Sequence, residues 1–404
     1  MADIRDINFN GKKVLVRVDF NVPLDENGNI TDDTRMRRAL PTLSHILDNG
    51  GSLIIMSHLG RPQKKLTPEG KIDTDKFSLR HLVDHLEELL EVHVEFVNEP
   101  LGTAGKEVCE SLHNGEVVLL ENTRFDKGES AGDQEMGRAL ANLGDVFVND
   151  AFGTAHRAHA STTTVATFFT KENKAFGFLM EEELKNGNQL MNEAVKPVTA
   201  IVGGAKVSDK IQLIENLMNF ADNIIIGGGM SYTFYKSMGL SIGNSICEDE
   251  FVPLAAKLLK KASETNTKIY LPEDIKISDA FDNDANTKIV SKDAIPDEWL
   301  GLDIGPQAMA DFREVLLNSK SILWNGPVGV FEMPTFAEGT NSLAQSIAEA
   351  TEAGAHSLIG GGDSVSAIAD AGLTDKMSFI STGGGAMLEL LEGKTLPGVA
   401  AIEN

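Results

Sequence analysis

The sequence predicts an α/β protein of two domains, each a parallel sheet flanked by helices, joined by a connecting helix. Three observations carry this. Short, continuous apolar runs alternate with amphipathic stretches along the whole chain, and strands covered on both faces read as continuous rather than alternating apolar runs. The 404 residues suit two or three domains. The two halves also differ in chemistry. Every arginine except Arg313 and every histidine except His356 precedes residue 160, whereas the glycine clusters at 203–204, 227–229, 360–362 and 383–385 all follow it.

In the first half, strands are predicted at 14–20, 53–57, 94–97, 117–120 and 146–148. Between them, 34–47 places Met36, Leu40, Leu43 and Leu47 on one helical face and stops at Asn49-Gly50-Gly51. A second helix, 78–90, carries Leu79, Leu82, Val83, Leu86 and Leu90. Residues 170–174 are polar, 178–191 read as the connecting helix, and Lys196-Pro197 opens the next domain. The expected boundaries are therefore 1–175, a hinge at 176–195, and a second domain at 196–387. In that domain, strands are predicted at 198–202, 223–226, 268–271, 321–323, 357–359 and 377–380, with a helix over 208–220 that turns Ile211, Ile214, Leu217 and Met218 inward.

Composition limits the function. Hydrophobic residues make up 42% and charged residues 24%, as in an ordinary soluble globular protein. No apolar run approaches the ~20 residues of a membrane span, and Met-Ala-Asp-Ile-Arg-Asp is not a signal pattern. Cys109 and Cys247 are isolated, so a reducing cytoplasm and no structural zinc are expected. A net charge of −24 argues against nucleic acid and anionic membrane as partners, and serves solubility.

Ligands of open α/β sheets bind beyond the carboxyl ends of the strands. In the first half those positions hold Asp19 and Asn21, then His58, Gly60 and Arg61, then Glu121, Asn122 and Arg124, and finally Asn149-Asp150 leading to His156, Arg157 and His159. One such arginine reads as a surface ion pair. Four such loops on one sheet point to an anion site, because guanidinium forks bind phosphate and carboxylate bidentately. In the second half the strand ends carry glycines, which let backbone N–H groups approach a phosphate beside a helix N-terminus. The opening residues of the 208–220 helix place Lys206 and Lys210 four apart, a spacing that projects both the same way and supplies the cation that 360–370 lacks. Asp363 then reads as a ligand for magnesium on the phosphates, or as a helix N-cap. GxxxxGK[ST] is absent, since Leu388 stands where its first glycine belongs, and GxGxxG, GxSxG and HExxH are absent too. His156 and His159 have no third ligand nearby, which disfavours a metal pair.

Ten stretches in order resemble the phosphoglycerate kinase family along nearly the whole chain: RVDFNVP at 17–23, SHLGRP at 57–62, LLENTRF at 119–125, NDAFGTAHRAH at 149–159, GGAKVSDK at 203–210, GGGM at 227–230, GLDIGP at 301–306, WNGPVGVFE at 324–332, GGGDS at 360–364 and STGGG at 381–385. The resemblance implies two Rossmann-like domains joined by a helical hinge, with the tail 388–404 returning to the first. It implies reversible phosphoryl transfer between 1,3-bisphosphoglycerate and MgADP, giving 3-phosphoglycerate and MgATP, by a cytoplasmic monomer whose cleft closes. By the same resemblance Asp19, Phe20, Asn21, Arg35, His58, Leu59, Gly60, Arg61, Arg124 and Arg157 bind phosphoglycerate. Lys206, Lys210, Gly361, Gly362 and Ser364 contact nucleotide phosphates, Asp363 holds Mg²⁺, Glu332 takes the ribose, and Gly228, Gly229, Gly301 and Gly305 border the adenine. Arg35, Lys206, Lys210, Gly361 and Gly362 are the expected catalytic set. Glu273, Tyr235 and Ala131-Gly132 depart from the family's usual pattern, away from any of these positions.

Overall fold

In the first half of the chain, five apolar runs form strands, β1 (Lys13–Val18), β2 (Ser52–Met56), β3 (Val94–Val97), β4 (Val117–Leu120) and β5 (Val146–Asp150), and all but β3, which exposes Glu95, are buried along most of their length. A sixth, β6 (Lys174–Phe176), was not expected from its polar flank. In this computed structural model, which describes all 404 residues, they pair in parallel in the order β3-β4-β2-β1-β5-β6. The helix Thr34–Asp48 packs Met36, Leu43 and Ile46 into the same core as Val14, Val16, Leu53 and Ile55.

The second half builds a second six-stranded parallel sheet from β7 (Val198–Val202), β8 (Asn223–Ile226), β9 (Lys268–Tyr270), β13 (Ser321–Asn325), β14 (His356–Gly360) and β15 (Phe379–Ile380), in the order β15-β14-β13-β7-β8-β9. Between β9 and β13 lies an antiparallel sheet that the pattern did not reveal, β10 (Asp274–Ser278), β11 (Thr287–Ser291) and β12 (Leu300–Ile304), in the order β11-β10-β12. β11 is its exposed edge, so no continuous apolar run marks it. In both parallel sheets the chain reverses its direction of strand addition beside the first strand, at β1/β5 and at β7/β13. Such a switch point opens a crevice at the strand ends.

The chain divides into two compact units, one of Met1–Lys185 with Thr395–Asn404, the other of Asn186–Lys394. The division falls inside the helix Phe178–Asn192. The returning tail begins at Thr395 rather than at 388, because the helix Gly384–Leu391 stays with the second unit: the Leu391 carbonyl accepts from Asn216 Nδ2 at 2.6 Å. Beyond Thr395, Gly398 N donates to Ala155 O at 2.8 Å, and the buried Lys174 ammonium donates to Ala401 O at 2.8 Å.

The connecting helix is tied to the end of β5. Phe178 N donates to Thr42 Oγ1 at 2.8 Å, and Met180 N donates to Asp150 Oδ1 at 3.0 Å. Gly177 permits this approach, since a Cβ there would sit 2.3 Å from Asp150 Oδ1. Asp150 is fully buried, and burial pushes its pKa up to about 7 against the opposing hydrogen bonds from Thr42 and the helix amides. A carboxyl with a raised native pKa contributes stability at low pH, and this is lost as pH rises toward and through about 7. The shift from 3.8 corresponds to roughly 4 kcal/mol at most. Asp150→Asn removes the titration at nearly constant shape. Thermal unfolding between about pH 4 and pH 9 is expected to show the wild-type protein losing ground to the variant from about pH 4 up to about pH 7 and running parallel to it above that, and curves that stay parallel throughout contradict the assignment.

Candidate active site

Around the carboxyl ends of β1, β2, β4 and β5 lies a cavity of about 560 Å³ lined by Asp19, Asn21, Arg35, His58, Gly60, Arg61, Arg124, Arg157 and His159, with Lys64, Lys65 and His156 also at its wall. Four strand-end loops and the first turn of the helix Thr34–Asp48, which carries Arg35, supply these residues, and side chain–backbone bonds fix the loops. Asn21 Oδ1 accepts from Gly60 N at 2.7 Å, and Arg124 NH1 donates to Gly60 O at 2.7 Å. Asn122 ties three more groups: its Nδ2 donates to Leu59 O at 2.8 Å and to Phe77 O at 2.9 Å, and its Oδ1 accepts from Arg124 N at 3.0 Å. Arg35 donates to Asn21 O at 2.8 Å and lies 3.5 Å from Asp19. Arg61, Arg124 and Arg157 have no carboxylate in ion-pair contact, which leaves Arg61, Arg157 and the part of the Arg124 fork not bonded to Gly60 O for an anion.

Phe20 and Leu59, expected among the binding residues, are core side chains. Only their backbone takes part in the loops, through Phe20 N to Ser57 Oγ at 2.8 Å and Leu59 O to Asn122. Burial, together with the charges of Arg17, Arg124 and Arg35, holds the His58 pKa well below 6.5. Burial also lowers His159 to about 4, with Arg124, Arg17 and Arg157 adding to the effect and Glu129 opposing it. Both rings are neutral at pH 7 and act as hydrogen-bond partners rather than as cations. Arg124, lowered to about 10 by burial and then by Arg17, keeps its charge.

In the second unit, the ends of β7, β13 and β14 are neighbours in the sheet. Backbones touch there. A Cβ on Gly203 would lie 2.1 Å from Pro327 O, and one on Gly384 3.0 Å from Gly361 Cα. Gly361, at φ 91°, turns β14 into the helix Gly362–Asp370. That helix, and the helices Met230–Ser237 and Gly384–Leu391, start without any side-chain cap. In Met230–Ser237 the first N–H groups are taken by the carbonyls of Gly204, Gly228 and Gly229, whereas those of Gly362–Asp370 and Gly384–Leu391 are left for an anion. Asp363 lies exposed in the first turn of its helix and is not the N-cap, a place taken by Gly361. Ser364 Oγ is buried and accepts from Gly326 N at 2.7 Å.

Lys206 and Lys210 do not share a helical face. The helix there runs Ile211–Leu217 and begins after both lysines, because Glu248 holds Ser208 in a turn through its hydroxyl at 2.6 Å and its N–H at 3.0 Å. Lys206 is exposed. Lys210 is half-buried and donates to Asn325 Oδ1 at 2.5 Å, and burial lowers its pKa. Asn325, whose Nδ2 also lies 3.1 Å from where a Gly361 Cβ would be, joins Lys210 to the glycine turn. It lay unremarked inside WNGPVGVFE, where only Glu332 drew notice. Glu332 is exposed, and Gly228 sits with φ 71° against the Gly204 backbone. Gly229 is the N-cap of Met230–Ser237. Gly301 packs on the buried Tyr232 hydroxyl, and Gly305 packs on Asp274, whose carboxylate caps the helix Pro306–Leu317 by accepting from Gln307 N at 3.1 Å and Ala308 N at 2.8 Å. The unusual Tyr235 is buried and donates to Pro272 O at 2.7 Å. No cluster of three or more His, Cys, Asp or Glu side chains forms a resident metal site.

The family model described as phosphoglycerate kinase matches residues 4–394. Among curated proteins, the chain is 50% identical to "Phosphoglycerate kinase" of Porphyromonas gingivalis, covering 99% of each chain, and 50% identical to "Phosphoglycerate kinase 3, cytosolic" of Arabidopsis thaliana, covering 100% of this chain and 98% of that one. Among solved structures, phosphoglycerate kinase from Coxiella burnetii superposes with a TM-score of 0.88 at 39% identity, and that from Pyrococcus horikoshii with 0.82 at 30%. Each comparison covers 100% of this chain and 98% of the other.

Proposed function

We propose that this chain, which belongs to the phosphoglycerate kinase family and is an ATP:3-phosphoglycerate 1-phosphotransferase of glycolysis, binds its two substrates on separate units: phosphoglycerate at the arginine-lined cavity of the first and the nucleotide at the glycine turns of the second. The observation that carries the reading is the convergence of Arg35, Arg61, Arg124 and Arg157 on one cavity, three of them without a carboxylate partner. Asp19, Asn21, His58 and Gly60 orient the ligand there.

On the second unit, Lys206, Lys210 and the amides at Gly361 and Gly362 take the nucleotide phosphates, with Ser364 supporting the turn from below. Gly228, Gly229, Gly301 and Gly305 border the adenine, and Glu332 receives the ribose hydroxyls. Magnesium arrives with the nucleotide, as part of the substrate. A lone exposed carboxylate in the first helical turn, Asp363, suits an ion that takes one or two carboxylates and completes its shell with phosphate oxygens and water.

The transfer itself asks little of acid–base chemistry, because the attacking or leaving group is a carboxylate oxygen, ionised near neutral pH. Rate enhancement then comes from positioning and from fixed positive charge. Arg35 from one unit and Lys210 from the other stabilise the migrating phosphoryl group, with Lys206 and the Gly361-Gly362 amides assisting. The two substrates must meet for transfer, so the helix Phe178–Asn192 serves as the hinge that brings them together. The protein acts as a monomer in the cytoplasm on small molecules. The cytosolic Arabidopsis relative supports the compartment, and a net charge of −24 disfavours polyanionic partners.

Two outcomes follow. Arg61→Ala is expected to weaken 3-phosphoglycerate binding by about 10-fold or more while MgATP binding stays within about twofold, as read by titration calorimetry; equal losses for both ligands contradict the division. Asp363→Asn is expected to leave the melting temperature nearly unchanged, since the side chain is exposed and makes no cap bond. Turnover and apparent MgATP affinity fall together by ~10²-fold, partly restored by added Mg²⁺. Normal kinetics with Asn at 363 would sink the metal assignment.

A further inference from the structure

Beneath the cavity of the first unit lies a buried polar chain, of which Arg17, Ser161 and Glu129 do not line it. Arg17 on β1 is fully buried. Its Nε donates to Ser161 Oγ at 2.7 Å, its NH1 donates to Val18 O, and its NH2 lies 3.3 Å from His58 Nδ1. Ser161 sits in a π-helical turn, Ala160–Thr164, and is itself fully buried. Its hydroxyl donates to Glu129 Oε1 at 2.7 Å and its N–H to Glu129 Oε2 at 2.9 Å. Glu129 is fully buried, 4.0 Å from Arg17 NH2 and 3.7 Å from His159 Nδ1. At the other end, His58 Nδ1 is 3.8 Å from Asp19 Oδ1, beyond hydrogen-bond reach.

A guanidinium has donors only. At 3.3 Å from Arg17, His58 Nδ1 therefore accepts, and the ring proton resides on Nε2. His58 lines the cavity and Arg17 does not. The orientation and tautomer of a ring facing the ligand thus depend on where Arg17 is held, and Arg17 is held by Ser161 and Glu129.

We propose that Glu129 is a positioning residue for the phosphoglycerate site: through Ser161 it fixes Arg17, and Arg17 in turn fixes His58 as the Nε2–H tautomer facing the ligand. Glu129 touches no ligand. Its place below the sheet ends also balances Arg17 without placing a carboxylate among Arg61, Arg124 and Arg157. The inference rests on the assignment of phosphoglycerate to this cavity.

Glu129→Gln and Ser161→Ala test it on the full-length enzyme. Both are expected to raise KM for 3-phosphoglycerate by about 10-fold or more, the loss associated with a buried bond to a charged group, and to leave KM for ATP within about twofold. In ¹⁵N spectra of the ligand-free protein, His58 Nδ1 is expected to show the unprotonated-acceptor shift in the wild-type protein and to move toward the tautomer-averaged position in both variants. Ser161→Ala keeps both buried charges and carries the test if Glu129→Gln does not fold. A lowered melting temperature with both KM values and the His58 signal unchanged assigns Glu129 a purely structural role and overturns the proposal. Loss of 3-phosphoglycerate affinity in Arg61→Ala but in neither of these variants overturns the proposal alone. Retention of that affinity in Arg61→Ala overturns the substrate assignment beneath it.

Discussion

The buried Arg17 guanidinium is the constraint on which the first unit depends. A charge removed from water costs several kcal/mol unless its donors are satisfied and an opposite charge is near. β1 points Val14, Val16 and Val18 into one core and carries Arg17 on its opposite face, beside the buried Leu15. The surrounding structure is accordingly built around its donors: Val18 O, Ser161, His58 and Glu129 each meet one face of it. The arginines at the cavity wall then face a site that is positive inside a chain of net charge −24. Screening over ~8 Å at physiological salt lets so local a cluster prevail against the distant acidic surface.

The second unit meets the same demand by other means. Its strand ends carry few cations, and what converges there is backbone. Gly203 lies against Gly326 and Pro327, Gly228 against Gly204, and Gly361 against Asn325 and Gly384. Side chains would hold these crossings apart. The uncapped starts of the helices Gly362–Asp370 and Gly384–Leu391 leave oriented N–H groups facing outward, and Lys210 is the one ammonium drawn in close, held by Asn325. A flexible side chain anchored in this way loses less freedom when it binds an anion.

The parallel strands were legible because burial on both faces makes them continuously apolar, as in Leu53 to Met56 or Ile224 to Ile226. The half-exposed hairpin of β10 and β11 has no such signature, and Lys174 disguised β6 as a polar loop although its ammonium is buried against carbonyls. The strand-end arginines and histidines were legible because topology fixes where a strand ends. The Lys206–Lys210 spacing misled: Glu248, 38 residues beyond Lys210 and visible only once folded, holds the intervening Ser208 in a turn. The supporting residues were the least legible. Glu129, Ser161 and Asn325 act through contacts distant in sequence, and each, alone, is an ordinary polar residue in a short helical turn or at a strand end.

The proposed division of substrates between two chemically different units is tested most directly by amide chemical shifts of the intact protein. With 3-phosphoglycerate alone, the amides of Asn21, Gly60, Arg124 and Arg157 are expected to move while those of Lys206, Lys210 and Gly361 to Ser364 stay in place. With MgADP alone, the pattern reverses. If both ligands perturb the same set of amides, or if 3-phosphoglycerate moves the glycine turns and leaves the arginine loops untouched, the division of labour is contradicted.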